Sequence, residues 1–285
     1  MSYVWTPEQI QRYFGYYEGL ATRNTYSYLT FATTRDFARS VLPPCLEPAD
    51  VPEVTVSFMS FMEFANGRTN RTGRDRCAMI HINAKFGDAV GIYYLTVLET
   101  EEVNLETGRE LWGMPKKLGT IDSFDDGHTL FTFVERKNHR IMEFDAQLGP
   151  EQGEQPSQDE YYFELKGHFS ANGFGLKDSE LVIFKLGSTV NRFRELTNPH
   201  VVLTGSPWDP GVGSVPLGDF KEGGMTGGHM TWEIVDVVSL NDDGNDYAPY
   251  ILGRMYDDWP DLRDDTSRRA GTSALGVDRS VMASV

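Results

Sequence analysis

Cysteine is scarce in this chain: of 285 residues only two, Cys45 and Cys77, carry thiols. They form no CxxC pair and have no histidine at ligand-like spacing, which excludes a disulfide framework and points to a reducing compartment. Basic residues are also short, with 26 Lys and Arg against 42 Asp and Glu and a net charge of −16. A uniform acidic excess argues against nucleic acid or an anionic membrane as a partner. Long apolar runs are missing, and nothing approaches the roughly 20 residues of a membrane span. The opening Met-Ser-Tyr-Val-Trp-Thr-Pro-Glu has neither the basic region nor the apolar core of a secretory signal. No set of His, Cys, Asp and Glu shows metal-ligand spacing. Asp242-Asp243-Gly244-Asn245-Asp246 lacks the spaced ligands of a calcium loop, and Gly223-Gly224-Met225-Thr226-Gly227-Gly228-His229 lacks the Gly-Lys-Ser/Thr ending of a phosphate loop. These absences predict a cytoplasmic protein that needs no metal or cofactor and binds neither nucleic acid nor membrane.

Aromatic residues are plentiful: 13 Tyr and 17 Phe favour a β-rich protein over a helical bundle. Thr6-Pro7-Glu8-Gln9 is a helix start, with Thr6 as N-cap and Gln9 closing a capping box. Ile10, Tyr13, Phe14 and Tyr17 follow at helical spacing, so a helix is expected over 6–19, docked on a core or a subunit interface. A strand is expected over 26–32, a short helix over 34–42 that stops at Pro43-Pro44, and an apolar strand over 54–62 with Glu63 at its end. The arginine-rich stretch 66–76 reads as a turn, 77–83 and 91–98 as strands, and 99–106 as an acidic connector. A hairpin is expected from 129–135 and 140–144 around Lys137-Asn138-His139. The low-complexity segment 147–160 reads as a mobile surface loop, and the glycine run at 223–228 as a flexible loop. Strands over 181–184, 201–204, 231–238 and 250–255 complete the pattern. Many short strands between Gly, Pro and Asn turns imply a mainly β protein with an antiparallel barrel-like or sandwich core and a few short helices. One domain is expected over 1–259, followed by a polar tail, 260–285, that is disordered or wraps a neighbouring subunit.

Chemistry is concentrated in Gly108-Arg109-Glu110-Leu111-Trp112-Gly113-Met114-Pro115-Lys116-Lys117-Leu118-Gly119. Two adjacent lysines follow a proline and lie among Leu111, Trp112, Met114 and Leu118. A lysine at its usual pKa is uncharged about once in 2,500 molecules at pH 7, and freeing the amine costs roughly 4.6 kcal/mol. Burial against apolar surface and a second ammonium beside it both push the pKa down, which makes a nucleophilic amine. From the residues alone two readings stand side by side: one lysine turned inward as nucleophile, or a basic turn with both ammoniums in water.

The same dodecapeptide closely resembles the signature of the acetoacetate decarboxylase-like superfamily, Gly-Arg-Glu-Leu followed after two or three residues by Pro-Lys-Lys. Weaker similarity covers Val41-Leu42-Pro43 and Thr204-Gly205-Ser206, and the resemblance spans most of 26–259. It implies an antiparallel β-barrel-like core and assigns the Schiff-base lysine to Lys116, with Lys117 as its neighbour. It also implies a pocket arginine and two pocket glutamates. By ungapped count the arginine's place falls on Asn24, one residue from Arg23. The first glutamate falls near Val56 or Ser57 and the second near Arg76. With those groups changed, decarboxylation of acetoacetate is a poor expectation, whereas an imine on Lys116 remains a good one.

The expected catalytic residues are therefore Lys116, Lys117, Glu110 and Glu63, with Tyr93 and Tyr94 as further acid/base candidates. Trp112, Met114, Arg23, Ser57 and Arg76 are the expected substrate contacts. The expected activity is a cofactor-independent carbon–carbon lyase acting on a small keto acid or ketone, by decarboxylation or by aldol, retro-aldol and dehydration chemistry. Two alternatives are a lyase or cyclase that uses the barrel cavity on a larger substrate without an imine, and a non-catalytic small-molecule-binding barrel. The aromatic helix and the tail point to a homo-oligomer.

Overall fold

A computed structural model describes residues 3–17, 21–65, 68–69, 74–172 and 175–258. In chain order the elements are α1 (Pro7–Tyr17), β1 (Ala21–Ala32), α2 (Arg35–Val41), β2 (Glu47–Pro48), β3 (Glu53–Ala65), β4 (Arg68–Thr69), β5 (Asp75–Phe86) and β6 (Ala89–Glu99). There follow α3 (Glu102–Trp112), β7 (Lys116–Leu118), β8 (Thr120–Asp125), β9 (Thr129–Arg136), β10 (His139–Glu151), β11 (Gln155–Phe169), β12 (Leu176–Leu203), β13 (Phe220–Ser239) and α4 (Ala248–Met255).

All the strands belong to one sheet, and part of that sheet closes on itself. β11 pairs with β12 and also, in parallel, with β6, so that β6, β5, β3, β1, β13, β12 and β11 form a ring. β12 is long enough to serve two partners on one edge: its first half pairs with β11 and its second half with β10, from which β9 and β8 extend the sheet outward. Alternation of side chains gives each ring strand two faces. On β3, Val54, Val56 and Phe58 join Leu29, Ile80, Val134 and Phe144 in a dry core between the ring and the β8–β10 extension. Met59 and Phe61 face the other way, into the lumen, with Cys77, Met79, Tyr94, Tyr162 and Phe184. The fold is thus mainly β, a barrel with a sandwich built on one side, as the strand pattern predicts.

Several local expectations match. Thr6 and Gln9 exchange hydrogen bonds at the start of α1, and Thr34 caps α2 by accepting from the Phe37 amide at 3.1 Å. Lys137 and Asn138 take the left-handed conformations of a tight hairpin turn between β9 and β10.

Four expectations are corrected. The acidic connector over 99–106 is the end of β6 and the start of α3. The helix is hidden in the sequence because the residues it buries are Asn104, Thr107, Gly108 and Trp112, so helical spacing is carried by polar and small side chains. The low-complexity segment 147–160 is no loop: β10 runs to Glu151 and β11 starts at Gln155, and polar residues suit strands that rim an open cavity. The glycine run at 223–228 lies within β13, where any Cβ on Gly227 or Gly228 would collide with Arg192 or the Thr189 carbonyl across the β12 pairing. The segment 250–255, expected as a strand, belongs to α4, because Ile251 and Met255 are buried one helical turn apart. The ends of the expected first helix at 18–19, part of the arginine-rich turn and the tail over 260–285 lie outside the described residues. No helix among the described residues is long and apolar enough to cross a membrane.

Candidate active site

β7 is three residues long and runs parallel to β6, with Lys116 opposite Val97 and Lys117 opposite Leu98. Adjacent residues of a strand face opposite sides, and that alternation separates the two lysines. Lys116 enters the lumen, where its side chain is 12% exposed and its Nζ lies 2.5 Å from Glu99 Oε1. The ammonium also donates to the Asn104 carbonyl at 3.1 Å. The Asn104 side chain in turn donates to Asp75 Oδ2 at 2.5 Å, and Asp75 Oδ1 accepts from the Thr100 hydroxyl at 2.7 Å. The lysine stem lies flat on α3 at Gly108, where a Cβ would press into Cδ and Cε and come within 2.8 Å of Nζ.

Lys117 leaves on the outer side. Its ammonium is 3.0 Å from Asp209 Oδ1 and donates to the Tyr256 carbonyl at 2.9 Å. Arg136 bridges the same Asp209, at 2.7 Å, to Asp257, at 2.5 Å. Burial lowers the Lys117 pKa, against the pull of Asp209. This geometry corrects the expectation that the second ammonium depresses the pKa of the first. It also corrects the direction of the Lys116 shift. Burial alone would push the Lys116 pKa down, but Glu99, with Cys77 and Glu63 behind it, outweighs burial and holds the ammonium above its usual range. Burial raises the Glu99 carboxyl to about 7, the Lys116 charge partly opposing that rise.

The lysine stands in a chamber of about 60 Å³ whose wall includes Glu63, Glu99, Trp112, Met114, Phe61 and Cys77. Trp112 is held by an edge contact with Phe184 at 5.3 Å between ring centres. Met59, Met79, Tyr94 and Trp232 border both this chamber and a second lumen cavity of about 400 Å³ that opens to solvent. Among the described residues no group of His, Cys, Asp and Glu gathers in a way that could hold a metal ion.

Of the residues expected from the sequence, Lys116, Glu63, Trp112 and Met114 meet in this chamber, and Tyr94 borders it. Ser57 is fully buried on the lumen face of β3, between Thr55 and Met59. Four others are directed elsewhere. Arg23 lies between the lumen residues Thr22 and Asn24 and is exposed on the outer face. Arg76 points away from its lumen neighbour Cys77 and donates to the Ile121 carbonyl at 3.0 Å. Glu110 is exposed, off the buried face of α3. Tyr93 packs outside the lumen under the Arg254 guanidinium, 4.1 Å from its ring centre. The sequence reading missed Glu99, Asn104 and Asp75. For Glu99 a signal existed, because period two from the lumen residue Val97 places it inward. Asp75 and Asn104 are brought in only by the pairing of β5 with β6 and the packing of α3, which no local pattern reveals.

The site defines a β-barrel with a lysine–carboxylate pair, Lys116 and Glu99, inside its lumen. The family model described as acetoacetate decarboxylase (ADC) matches residues 2–223, and the chain belongs to that family. No curated protein matches the sequence. Among solved structures it is similar to an acetoacetate decarboxylase from Legionella pneumophila subsp. pneumophila, with a TM-score of 0.61 and 15% identity over 80% of this chain and 88% of that one. A second acetoacetate decarboxylase structure gives 0.63 and 18% over 80% and 93%. The enduracididine biosynthesis enzyme MppR complexed with pyruvate gives 0.64 and 14% over 79% and 91%. At these identities the likeness is one of fold.

Proposed function

We propose that the chain is a cofactor-independent carbon–carbon lyase that forms an imine between Lys116 and a small ketone or keto acid. The observation that carries this reading is the buried Lys116–Glu99 pair at 2.5 Å in a chamber of small-molecule size. About 60 Å³ is room for roughly four or five water-sized groups. That suits the reacting carbonyl and its immediate substituents. Family membership and a neighbour of this fold complexed with pyruvate support the same class.

The pair supplies a route to the free amine. Glu99 takes a proton from Lys116 Nζ; burial raises its carboxyl to about 7, closer to the lysine than an ordinary glutamate, and the minor fraction of amine so freed is the form that reacts. The amine adds to the carbonyl carbon to give a carbinolamine. Glu99 returns its proton to the departing hydroxyl, and water leaves the iminium. Loss of a proton, of CO2 or of an aldehyde fragment then places the electron pair in an enamine, with Glu63 within the same wall as a second acid/base. Among the described residues of this wall, Lys116 is the one Lys or Arg. A substrate carboxylate therefore has no fixed cation waiting for it, which favours aldol, retro-aldol or dehydration chemistry over decarboxylation.

Borohydride reduction with pyruvate, acetone or a short aldol product tests the reading. A reduced adduct on Lys116 by mass spectrometry, absent in Lys116→Ala, is the expected result; failure with every carbonyl compound tried overturns it. The upward pKa shift of Lys116 favours one second reading, in which the ammonium acts as a fixed cation. In that case turnover is lost in Lys116→Ala but no adduct forms in the parent enzyme.

A further inference from the structure

The larger lumen cavity is far bigger than a small ketone needs, and its wall has a definite chemistry. Among its described residues are Glu53, Glu160 and Glu222 but no Lys or Arg. None of these three carboxylates is ion-paired with another described residue. Glu160 and Glu222 are solvent-exposed at the wall of the cavity, and Glu160 accepts a long hydrogen bond from the Tyr162 hydroxyl at 3.3 Å. The rest of the wall is rich in aromatic faces: Tyr26 and Tyr28 stack at 5.7 Å, and Tyr162 stacks on Phe184 at 4.9 Å.

A second, independent feature points to a ligand. His81 is only 7% exposed and lies in the wall of this cavity. Its ring makes an edge contact with Tyr94, and among the described residues nothing hydrogen-bonds its nitrogens. Burial lowers its pKa to about 3, so it is a neutral imidazole with one donor and one acceptor to offer. With no partner among the described residues, that donor and acceptor are open to a guest in the cavity.

We infer that this cavity binds an organic cation, an ammonium or guanidinium group on an apolar or aromatic body. Unpaired carboxylates and aromatic faces both attract positive charge, and among the described residues of the wall no Lys or Arg is in place to neutralise them. Position fits the same assignment. Thr22 borders the lysine chamber and Thr30 the larger cavity, at opposite ends of β1, about 26 Å apart at roughly 3.3 Å per residue. Glu222 pairs across from Thr30 and Glu53 across from Ala32, so these two carboxylates stand at the end away from Lys116. If the imine reading holds, on which only this clause rests, the cation is the distal group of an extended carbonyl substrate.

Calorimetric binding of phenethylammonium tests the inference without needing turnover or an imine. The expected result is saturable binding, with neutral 2-phenylethanol weaker by about tenfold or more and 3-phenylpropionate not bound. The double variant Glu160→Gln/Glu222→Gln should lose about tenfold or more of that affinity while its circular dichroism is unchanged. His81→Ala should weaken binding as well, and Lys116→Ala should bind as the parent does. Absence of binding, equal affinity for the neutral alcohol, or an affinity unmoved in the folded glutamine variant overturns it. Because Lys116→Ala is a binding-competent control, failure of borohydride trapping and failure of this site are read separately.

Discussion

Gly108 and Lys116 are a matched pair: the bare Cα of the helix residue is the surface on which the lysine stem lies. Gly108→Ala is expected to lose about 1–3 kcal/mol of stability by overpacking, and to cut turnover by about 100-fold through displacement of the amine. A thermodynamic cycle with Lys116→Ala checks the cause. The penalty of the alanine should largely vanish once the stem is gone; an undiminished penalty means that Gly108 serves the helix and not the lysine.

Glu99 is expected to be the proton carrier. Glu99→Gln should reduce the rate of adduct formation on Lys116 by about 10²–10⁴-fold with the fold intact. Pre-steady-state trapping measures this, and a rate within threefold of the parent, about 0.7 kcal/mol, would sink the assignment.

The pH dependence follows from the same group. Below about 7 Glu99 is protonated and cannot accept the lysine proton, so kcat/KM should rise with pH through about 7 and then level. The stability linkage has the opposite slope. The folded state keeps this proton up to about 7, whereas an unfolded glutamate releases it near 4.3. The folded state therefore binds more protons in that window, and the Glu99 contribution to stability falls as pH rises through it. Denaturant titrations at pH 5 and pH 7.5 on the parent and on Glu99→Gln show whether the slope belongs to this residue.

Lys117 should prove structural. Lys117→Met is expected to cost about 1.5–3 kcal/mol, the range for a charge-assisted hydrogen bond, and to leave borohydride trapping on Lys116 in place. Differential scanning calorimetry and mass spectrometry on one sample separate the two effects. Loss of trapping without loss of stability would return Lys117 to the chemistry.

Assembly is expected from α1 and the turn before it, which present Trp5, Ile10 and Phe14 at 50%, 43% and 54% exposure. Sedimentation of Trp5→Ser/Phe14→Ser should show a smaller species than the parent at the same concentration. An unchanged value removes this surface as the subunit contact.

The legibility of the fold varied with the kind of signal each segment carries. β3 and β5 were readable because alternate residues such as Val54, Val56 and Ile80, Ile82 are apolar. α3 was not, because its buried face is Asn104, Thr107 and Gly108, and helix periodicity is sought in hydrophobic residues. The β13 glycines resembled a loop because they allow close approach of β12, and sequence gives no sign of what approaches. For the site, the motif singled out Lys116 and the chamber residues Trp112 and Met114, but it could not assign directions. Only the β6–β7 pairing shows that Lys116 faces Glu99 while Lys117 faces Asp209.

That opposition has a mechanical consequence. β7 is held by charge from both sides, by Glu99 within the barrel and by Asp209 outside it, so the strand works as a short lever with one peptide between its arms. Asp257 grips Arg136 and Lys137 on the outer arm, at the end of the described chain. In close-packed protein a shift of the outer arm is transmitted and not absorbed. The position of the Lys116 ammonium in the lumen is thus tied to a buried ion cluster outside the barrel.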